Sequence, residues 1–140
     1  METAEINRNI VEIEEKKKYI PLEELEVYQL AIQLSDITWK VYETLTWQDK
    51  KIMGDQFISS SDSIGANIAE GYGRFHYLDK IRFYYNSRGS YFEARKHWLE
   101  LFRKRNKIEE TLYNNFVSIS SRFEIKLNNF ISATYKQKKQ

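Results

Sequence analysis

Residues that interrupt helices are rare in this chain. One proline and five glycines occur in 140 residues, whereas sandwiches and barrels made of short strands need many turn residues. Hydrophobic residues make up 41% of the sequence, which excludes a disordered chain and suffices for one buried core. The sequence therefore predicts a single all-α domain of long helices.

Apolar residues recur at spacings of three and four in four successive segments, the pattern of helices with one buried face. The predicted helices cover about 21–44, a segment from Thr46 or Asp49 to Gly71 or Gly73, 77–106 and 109–135. A glycine at the end of the second helix is expected to form a left-handed C-cap. Short connections predict an antiparallel up-down four-helix bundle over residues 21–140. Residues 1–20 are expected to form a frayed or weakly helical extension, and the tail from Lys136 is expected to fray.

The third predicted helix is unusually aromatic. Its expected buried stripe is Leu78, Ile81, Tyr85, Phe92, Leu99 and Phe102. Phe83, Tyr84 and Tyr85 are consecutive and differ by about 100° each, so they do not all face one core. We therefore expect a homo-oligomer whose candidate interface residues lie on this helix: Phe83, Tyr84, Tyr91 and Trp98.

The residue types needed for several kinds of site are absent or scarce. The chain has no cysteine, which excludes disulfides, thiolate nucleophiles, zinc ribbons and iron–sulfur clusters, and it has two histidines. It contains neither a Walker loop nor a Rossmann fingerprint. The amino end has no signal-peptide pattern and no apolar run approaches about 18 residues, so we expect a cytoplasmic protein without a membrane partner.

Two groupings of reactive residue types each have a simpler explanation. Ser59–Ser63, Asp62 and either His76 or His97 supply the residue types of a catalytic triad, but no nucleophile-elbow motif accompanies them. Small serines on a helix more simply allow a neighbouring helix to approach. Glu93 and His97 lie four residues apart and form either an ion-binding pair or an ordinary salt bridge. We therefore predict no catalytic residue, no cofactor and no metal ligand.

Positive charge is concentrated in one part of the sequence. Residues 74–107 contain ten basic and three acidic side chains, a net charge of +7, although the whole chain carries only +2. Exposed cations on a helix attract nucleic acid by releasing counterions from its phosphates. The candidate nucleic-acid-binding residues are Arg82, Lys96, Arg103, Lys104 and Arg105.

The most distinctive motif runs from Ser63 to Arg74. Asn67, Glu70 and Arg74 share one helical face at steps of three and four. The third helix supplies matching groups, because Gly89 and Ser90 permit close backbone approach while Arg88 and Glu93 complete a charge network. If this network is buried, Glu70→Ala lowers the stability by about 1–3 kcal/mol.

These residues resemble those of the four-helix-bundle proteins found in intervening sequences of 23S ribosomal RNA genes. Ile64, Ala66, Asn67-Ile68-Ala69-Glu70-Gly71, Gly73 and Arg74 match the family signature. The segments Phe83–Glu93 and Leu25–Ala31 match its third-helix motif and its first-helix opening. The resemblance covers roughly residues 22–130. Its signature residues, which we expect to be structural, are Asn67, Glu70, Gly71, Gly73, Arg74, Arg88, Gly89, Ser90 and Glu93.

The resemblance implies an antiparallel four-helix bundle that assembles as a homopentamer and carries out no catalysis. The related accessory variability protein of diversity-generating retroelements binds nucleic acid and a reverse transcriptase, which implies RNA, DNA or such a protein as partners. This chain departs from the family at two places. Gln56-Phe57-Ile58-Ser59 replaces Gln-x-Arg-Arg and so lacks two positive charges, and Gly65 replaces a proline.

Two functions from different classes follow. The chain is either a noncatalytic oligomer that associates with nucleic acid through its basic third helix, or a protein-interaction scaffold. In the first, exposed tyrosines stack on bases. In the second, the aromatic residues form a subunit interface and the basic residues face the acidic first half of a neighbouring chain.

Overall fold

The computed structural model describes residues 2–9 and 19–137, and these residues form an all-α fold. None of them belongs to a β-strand. Residues 2–9 are helical and exposed. Residues 1 and 10–18 of the predicted extension and residues 138–140 of the predicted frayed tail lie outside the described residues.

The first two long helices lie close to their predicted positions. The first helix, α1, is Glu26–Glu43 and follows a short 3₁₀ turn at Leu22–Glu24. The second, α2, continues without a break through Trp47–Asp49, a π-helical turn at Lys50–Gly54, and Asp55–Tyr72.

The third and fourth long helices are also confirmed to within two residues of their predicted ends. Helix α3 consists of Tyr77–Phe92, a π-helical turn at Glu93–Trp98, and Leu99–Lys104. Helix α4 is Glu110–Lys136.

The sequence predicted the cap at the start of α2 correctly, but not the conformation at its end. Thr46 caps the start, because its Oγ1 accepts a hydrogen bond from the Asp49 backbone N–H at 3.1 Å. The predicted left-handed glycine cap is wrong: Gly73 follows the helix with φ −77°, and no described glycine has a positive φ. The left-handed residue is instead Asn106, with φ 55°, just after α3.

The four helices enclose one apolar core. Helix α1 packs against α2 and α4, and α3 packs against the same two helices. The predicted stripes of the first two helices are confirmed as buried: Val27, Leu30, Leu34, Ile37 and Val41 on α1, Leu45 just after it, and Met53, Phe57, Ser60, Ile64 and Ile68 on α2. The fourth stripe contributes Phe116, Phe123 and Leu127.

The buried face of α3 differs from the predicted one. Leu78, Tyr85 and Phe92 are exposed, whereas Tyr84 and Tyr91 are buried in their place. Beyond the π-helical turn the prediction holds, because Leu99 and Phe102 are fully buried. The π turn adds one residue between the two halves of α3. Counting back from Leu99 in steps of seven therefore reaches Phe92 and Tyr85, each one position after the residue that is buried, Tyr91 or Tyr84.

Among the helices that the structure describes, none combines the length and the apolar character needed to cross a membrane.

Candidate functional site

The serine-rich part of α2 holds it against α1. Ser61 Oγ and Thr38 Oγ1 form a buried hydrogen bond at 2.8 Å, and Ser35 Oγ donates to the Ser61 carbonyl oxygen at 3.1 Å. Ser63 Oγ donates to the Ser59 carbonyl oxygen at 2.7 Å, within the same helix. Their hydroxyl groups therefore connect helices or bond to backbone carbonyls, which agrees with the predicted close approach of a neighbouring helix.

The centre of the family-like motif faces solvent. Arg74 and Glu70 form an ion pair at 2.6 Å, but their side chains are 45% and 54% exposed. Asn67 is half-buried, and its Nδ2 donates to the Ser63 carbonyl oxygen of its own helix at 2.8 Å. Glu70 and Arg74, which share one helical face, therefore do pair, but they lie on an open surface and not in a buried network.

Gly71 is the signature residue with the clearest packing role. A Cβ atom at this position would lie 2.7 Å from Tyr84 Cε1, 2.9 Å from Phe83 Cβ and 3.0 Å from the Lys80 carbonyl oxygen. Real Cβ atoms essentially never come so close to a neighbour. Only glycine therefore fits where α2 crosses the start of α3.

The third-helix half of the signature does not form the predicted close contact. Gly89 is exposed, and a Cβ placed there would meet no atom within 4 Å. Arg88 is also exposed and makes no ion pair with a described residue. The Glu93 carboxylate accepts a hydrogen bond from Trp98 Nε1 at 2.8 Å. Arg88, Gly89 and Glu93 are thus separate from the Glu70–Arg74 pair, and Ser90 is half-buried.

Glu93 and His97, four residues apart, both contact the tryptophan that follows them. His97 packs edge-on against the Trp98 ring at 4.6 Å, while Glu93 accepts from the indole of the same tryptophan. Within residues 2–9 and 19–137, no three His, Asp or Glu side chains are close enough together to hold an ion.

The predicted interface residues separate into buried and partly buried side chains. Tyr84 and Tyr91 are only 1% and 4% exposed in the single chain, so their assignment to an interface between chains is wrong. Each packs its ring against α4: Tyr84 on Phe130 at 4.7 Å and Tyr91 on Phe123 at 5.0 Å. Burial raises the pKa of both phenols.

The other two predicted interface residues keep part of their surface in water. Phe83 is half-buried, with the guanidinium carbons of Arg74 and Arg82 at 4.9 and 5.1 Å from its ring centre. Trp98 packs against the core and donates to Glu93.

The predicted basic residues are all exposed. Three of them follow one another at the end of α3: Arg103 lies over the Tyr113 ring at 4.2 Å, Lys104 extends to solvent, and Arg105 donates to Met53 Sδ at 3.5 Å. Arg82 and Lys96 lie further back along the helix. None of the five pairs with a described carboxylate.

The structure brings three further lysines to the same end of the molecule. Lys107 pairs with Asp49 at 2.9 Å and Arg105 contacts Met53, so the end of α3 lies beside the start of α2. Lys50 and Lys51 belong to that start. We define the basic end as Lys50, Lys51, Arg103, Lys104, Arg105 and Lys107.

The sequence prediction missed Lys50 and Lys51 because residues 27–73 are acidic overall. Their adjacency in an acidic stretch, next to an expected helix start, was the only signal for them. Helix α2 has no other cation, since Ile58 and Ser59 stand where the family commonly has two arginines.

A crevice of about 210 Å³ lies between α3 and α4. Arg88 and Lys96 are at its rim, and Tyr91 and Phe123 line it. The Tyr91 hydroxyl donates to Glu124 Oε1 at 2.6 Å. Glu124 is the only carboxylate among the residues that line the crevice, and it is therefore already hydrogen-bonded.

Beside the basic end, a second carboxylate links α3 to α4. Glu100 Oε1 accepts from the Tyr113 hydroxyl at 2.6 Å and from Arg95 Nη1 at 2.8 Å. The hydrogen bond from Tyr113 and the nearby charges of Arg95 and Arg103 lower the pKa of Glu100. Glu100 is therefore hydrogen-bonded to Tyr113 and Arg95, and it forms no ion pair with Arg103, Lys104 or Arg105.

A profile of the 23S rRNA-intervening sequence proteins matches residues 23–129. Among solved structures, the chain is similar to a protein with unknown function from the S23 ribosomal protein family of Bacteroides thetaiotaomicron, at 24% identity and a TM-score of 0.68. The match covers 75% of this chain and 97% of that chain, and it shows the shared fold. A search of curated proteins gave no match. Because the profile spans most of its length, the chain belongs to the 23S rRNA-intervening sequence protein family.

Proposed function

We propose that this chain is a noncatalytic protein that binds nucleic acid through its basic end. The observation that carries the proposal is the run of exposed cations Arg103, Lys104 and Arg105, which no described carboxylate neutralises. Free cations on a rigid helix can contact phosphates and release their counterions. The family is named after 23S rRNA, and the structural neighbour comes from a family named after a ribosomal protein, so RNA is the first probe.

We further propose that the four long helices form an antiparallel up-down bundle. The links between successive long helices are residues 44–46, 73–76 and 105–109, three to five residues each. Helices joined by such short links run antiparallel to their neighbours. This arrangement supports the proposal about the basic end, because it places the links before α2 and after α3 together.

We also propose that the chain assembles as a homo-oligomer, a pentamer by resemblance to its family. Leu78, Tyr85 and Phe92 recur every seven residues on α3, and all three are exposed in the single chain. An apolar stripe of this kind fits a helix of a second copy. Several copies would present several basic ends to one strand, which raises the overall affinity without new contacts.

Charge reversal at the basic end tests the proposed binding. The variant Arg103→Glu/Lys104→Glu replaces two exposed cations, and binding to fluorescein-labelled RNA is measured by anisotropy at about 50 mM salt. The matched control is Arg122→Glu/Lys126→Glu, which changes the net charge equally. These residues pair with Glu26, and Lys126 lies about 24 Å along α4 from its start.

We expect the basic-end variant to bind at least about tenfold more weakly than the parent, while the control stays within about twofold. Equal binding by the parent and both variants would contradict a role for the basic end. Circular dichroism melting checks that both variants remain folded.

A protein-interaction scaffold is the second candidate function. The exposed stripe of Leu78, Tyr85 and Phe92 favours it, because three large side chains lie in water, beside the exposed cations Arg82 and Arg88, where a partner could bury them. A parent protein that forms oligomers but binds neither RNA nor DNA at low salt would support the scaffold over nucleic-acid binding.

A further inference from the structure

An exposed tryptophan lies at the start of α2. Trp47 is 71% exposed, and the Lys51 ammonium nitrogen sits 4.0 Å from the centre of its ring. Burying a tryptophan ring is favourable, so one left in water at a helix start is available for a partner. The lysine beside it makes an anionic partner the better match.

Two stacked aromatic rings lie nearby, towards the end of α1. Trp39 is half exposed and stacks on Tyr42, with ring centres 5.5 Å apart and ring planes 17° apart. The Lys50 ammonium nitrogen lies 4.9 Å from the Tyr42 ring centre. Both lysines of α2 thus lie over aromatic rings, in the same pattern.

The position of Tyr42 is fixed by α2. Its hydroxyl donates to Asp55 Oδ1 at 2.8 Å. Gly54 allows the ring to approach, because a Cβ there would lie 3.2 Å from Tyr42 Cδ2 and 2.8 Å from Leu45 Cδ1. Tyr42, and the Trp39 ring that stacks on it, are therefore held in place before any partner arrives.

Trp47 lies on the same helix end as the residues that contact the cations of α3. Asp49 and Met53 contact Lys107 and Arg105, and they lie two and six residues along α2 from Trp47. At about 100° per residue, steps of two and six residues point away from Trp47, so Trp47 and the α3 cations lie on opposite sides of one helix end. A helix with its side chains is about 10–12 Å across, which is the distance between the two sides. A flexible chain of phosphates and bases can reach both.

We propose that this end of the molecule binds single-stranded nucleic acid, with Trp47 stacking on a base while Lys51 and the α3 cations contact phosphates. This inference rests on the function proposed above and names its substrate class. In a duplex each base face is already covered by its neighbours, whereas a single strand offers free faces. Stacking on tryptophan accepts any base, so the binding is sequence-tolerant.

The test compares Trp47→Ala with Trp47→Phe, which keeps an aromatic ring. The control is Phe75→Ala, which removes a fully exposed ring from the link between α2 and α3, at the opposite end. The probes are a labelled oligothymidine and an oligouridine of about 20 nucleotides and a duplex of the same length. Anisotropy gives the affinity, and quenching of tryptophan fluorescence reports stacking directly.

We expect Trp47→Ala to weaken single-strand binding about 5- to 150-fold and to abolish most of the quenching. Trp47→Phe should retain part of the affinity, and Phe75→Ala should bind like the parent. Duplex binding and the salt dependence should be unchanged in Trp47→Ala, because no cation is lost.

Single-strand binding by Trp47→Ala equal to that of the parent would overturn the inference. If Arg103→Glu/Lys104→Glu still bound more weakly, the proposed function would stand without it. If Trp47→Ala changed the mass of the oligomer but not the affinity, Trp47 would belong to an interface between copies, which also overturns the inference. A parent that bound no nucleic acid at low salt would overturn the proposed function itself.

Discussion

The three glycines of the family signature have different surroundings. Gly71 lies where α2 crosses α3, with the Tyr84 ring and the Lys80 carbonyl oxygen within 3.0 Å of a Cβ placed there. Gly73 would meet only its own helix carbonyls, at 3.7 Å, and Gly89 would meet nothing. At the residue scale, the motif therefore combines one strict packing requirement with positions that tolerate a side chain.

The variants Gly71→Ala and Gly89→Ala should have opposite effects on stability. Gly71→Ala forces Tyr84 or the α3 backbone to move and should lower the free energy of unfolding by about 1–3 kcal/mol. Gly89→Ala fills open space within a helix and should raise it by about 0.5–1 kcal/mol. Urea denaturation measures both, and a loss of stability in Gly89→Ala would contradict its assignment to a free helix surface.

The structure lowers the expected effect of Glu70→Ala. Its ion pair with Arg74 is exposed, and such pairs four residues apart on a helix contribute about 0.3–0.5 kcal/mol. We therefore expect a change below about 0.5 kcal/mol, instead of the roughly 1–3 kcal/mol that a buried network would give. Thermal melting checks this expectation, and a drop of about 2 kcal/mol would mean that Arg74 is buried in solution, as in an oligomer.

At the scale of helices, the sequence predicted α1, α2 and α4 well and α3 only in part. Periodic apolar residues identify a buried face when the helix is regular, as the fully buried Leu34 and Ile64 show. The phase of α3 was unpredictable because a π turn at Glu93–Trp98 shifts the register between the two halves of the helix, and no residue in the sequence marked that turn. With tyrosine or phenylalanine at several successive positions, either phase gave an apolar stripe.

The Glu100 link between α3 and α4 predicts a pH dependence of stability. Because Tyr113 and Arg95 lower the folded-state pKa of Glu100 below its usual 4.5, this link stabilises the fold fully above that value. The contribution is lost as the pH falls through the lower folded-state pKa. We expect the melting temperatures of the parent and Glu100→Gln to differ by a constant amount near neutral pH and to converge in acid. A difference that did not shrink below about pH 4 would contradict this role.

At the scale of the whole molecule, the candidate site was predictable only in its α3 half. The run of Arg103, Lys104 and Arg105 is visible in the sequence, whereas Lys50, Lys51 and Trp47 join it only because two chain links meet at one end. Contacts between distant segments of the chain have no local signature. For the same reason the predicted interface included Tyr84 and Tyr91, which the structure buries against α4.

The proposed assembly predicts the mass in solution. Light scattering after gel filtration should give a multiple of 16.9 kDa, about fivefold for a pentamer. The variant Tyr85→Asp/Phe92→Asp places charges on the exposed α3 stripe, so it should lower the mass while circular dichroism stays helical. A monomeric parent at micromolar concentration would contradict the assembly.

The salt dependence of RNA binding reports how many cations of the basic end contact phosphates. The three consecutive cations Arg103, Lys104 and Arg105 should alone make the logarithm of the association constant fall with the logarithm of salt at a slope of about −2 or steeper for a single strand. Arg103→Glu/Lys104→Glu should reduce the slope by about 1.4, while Arg122→Glu/Lys126→Glu leaves it unchanged. Absence of binding at about 50 mM salt, or a slope that the basic-end reversal does not alter, would contradict nucleic-acid binding through this end of the molecule.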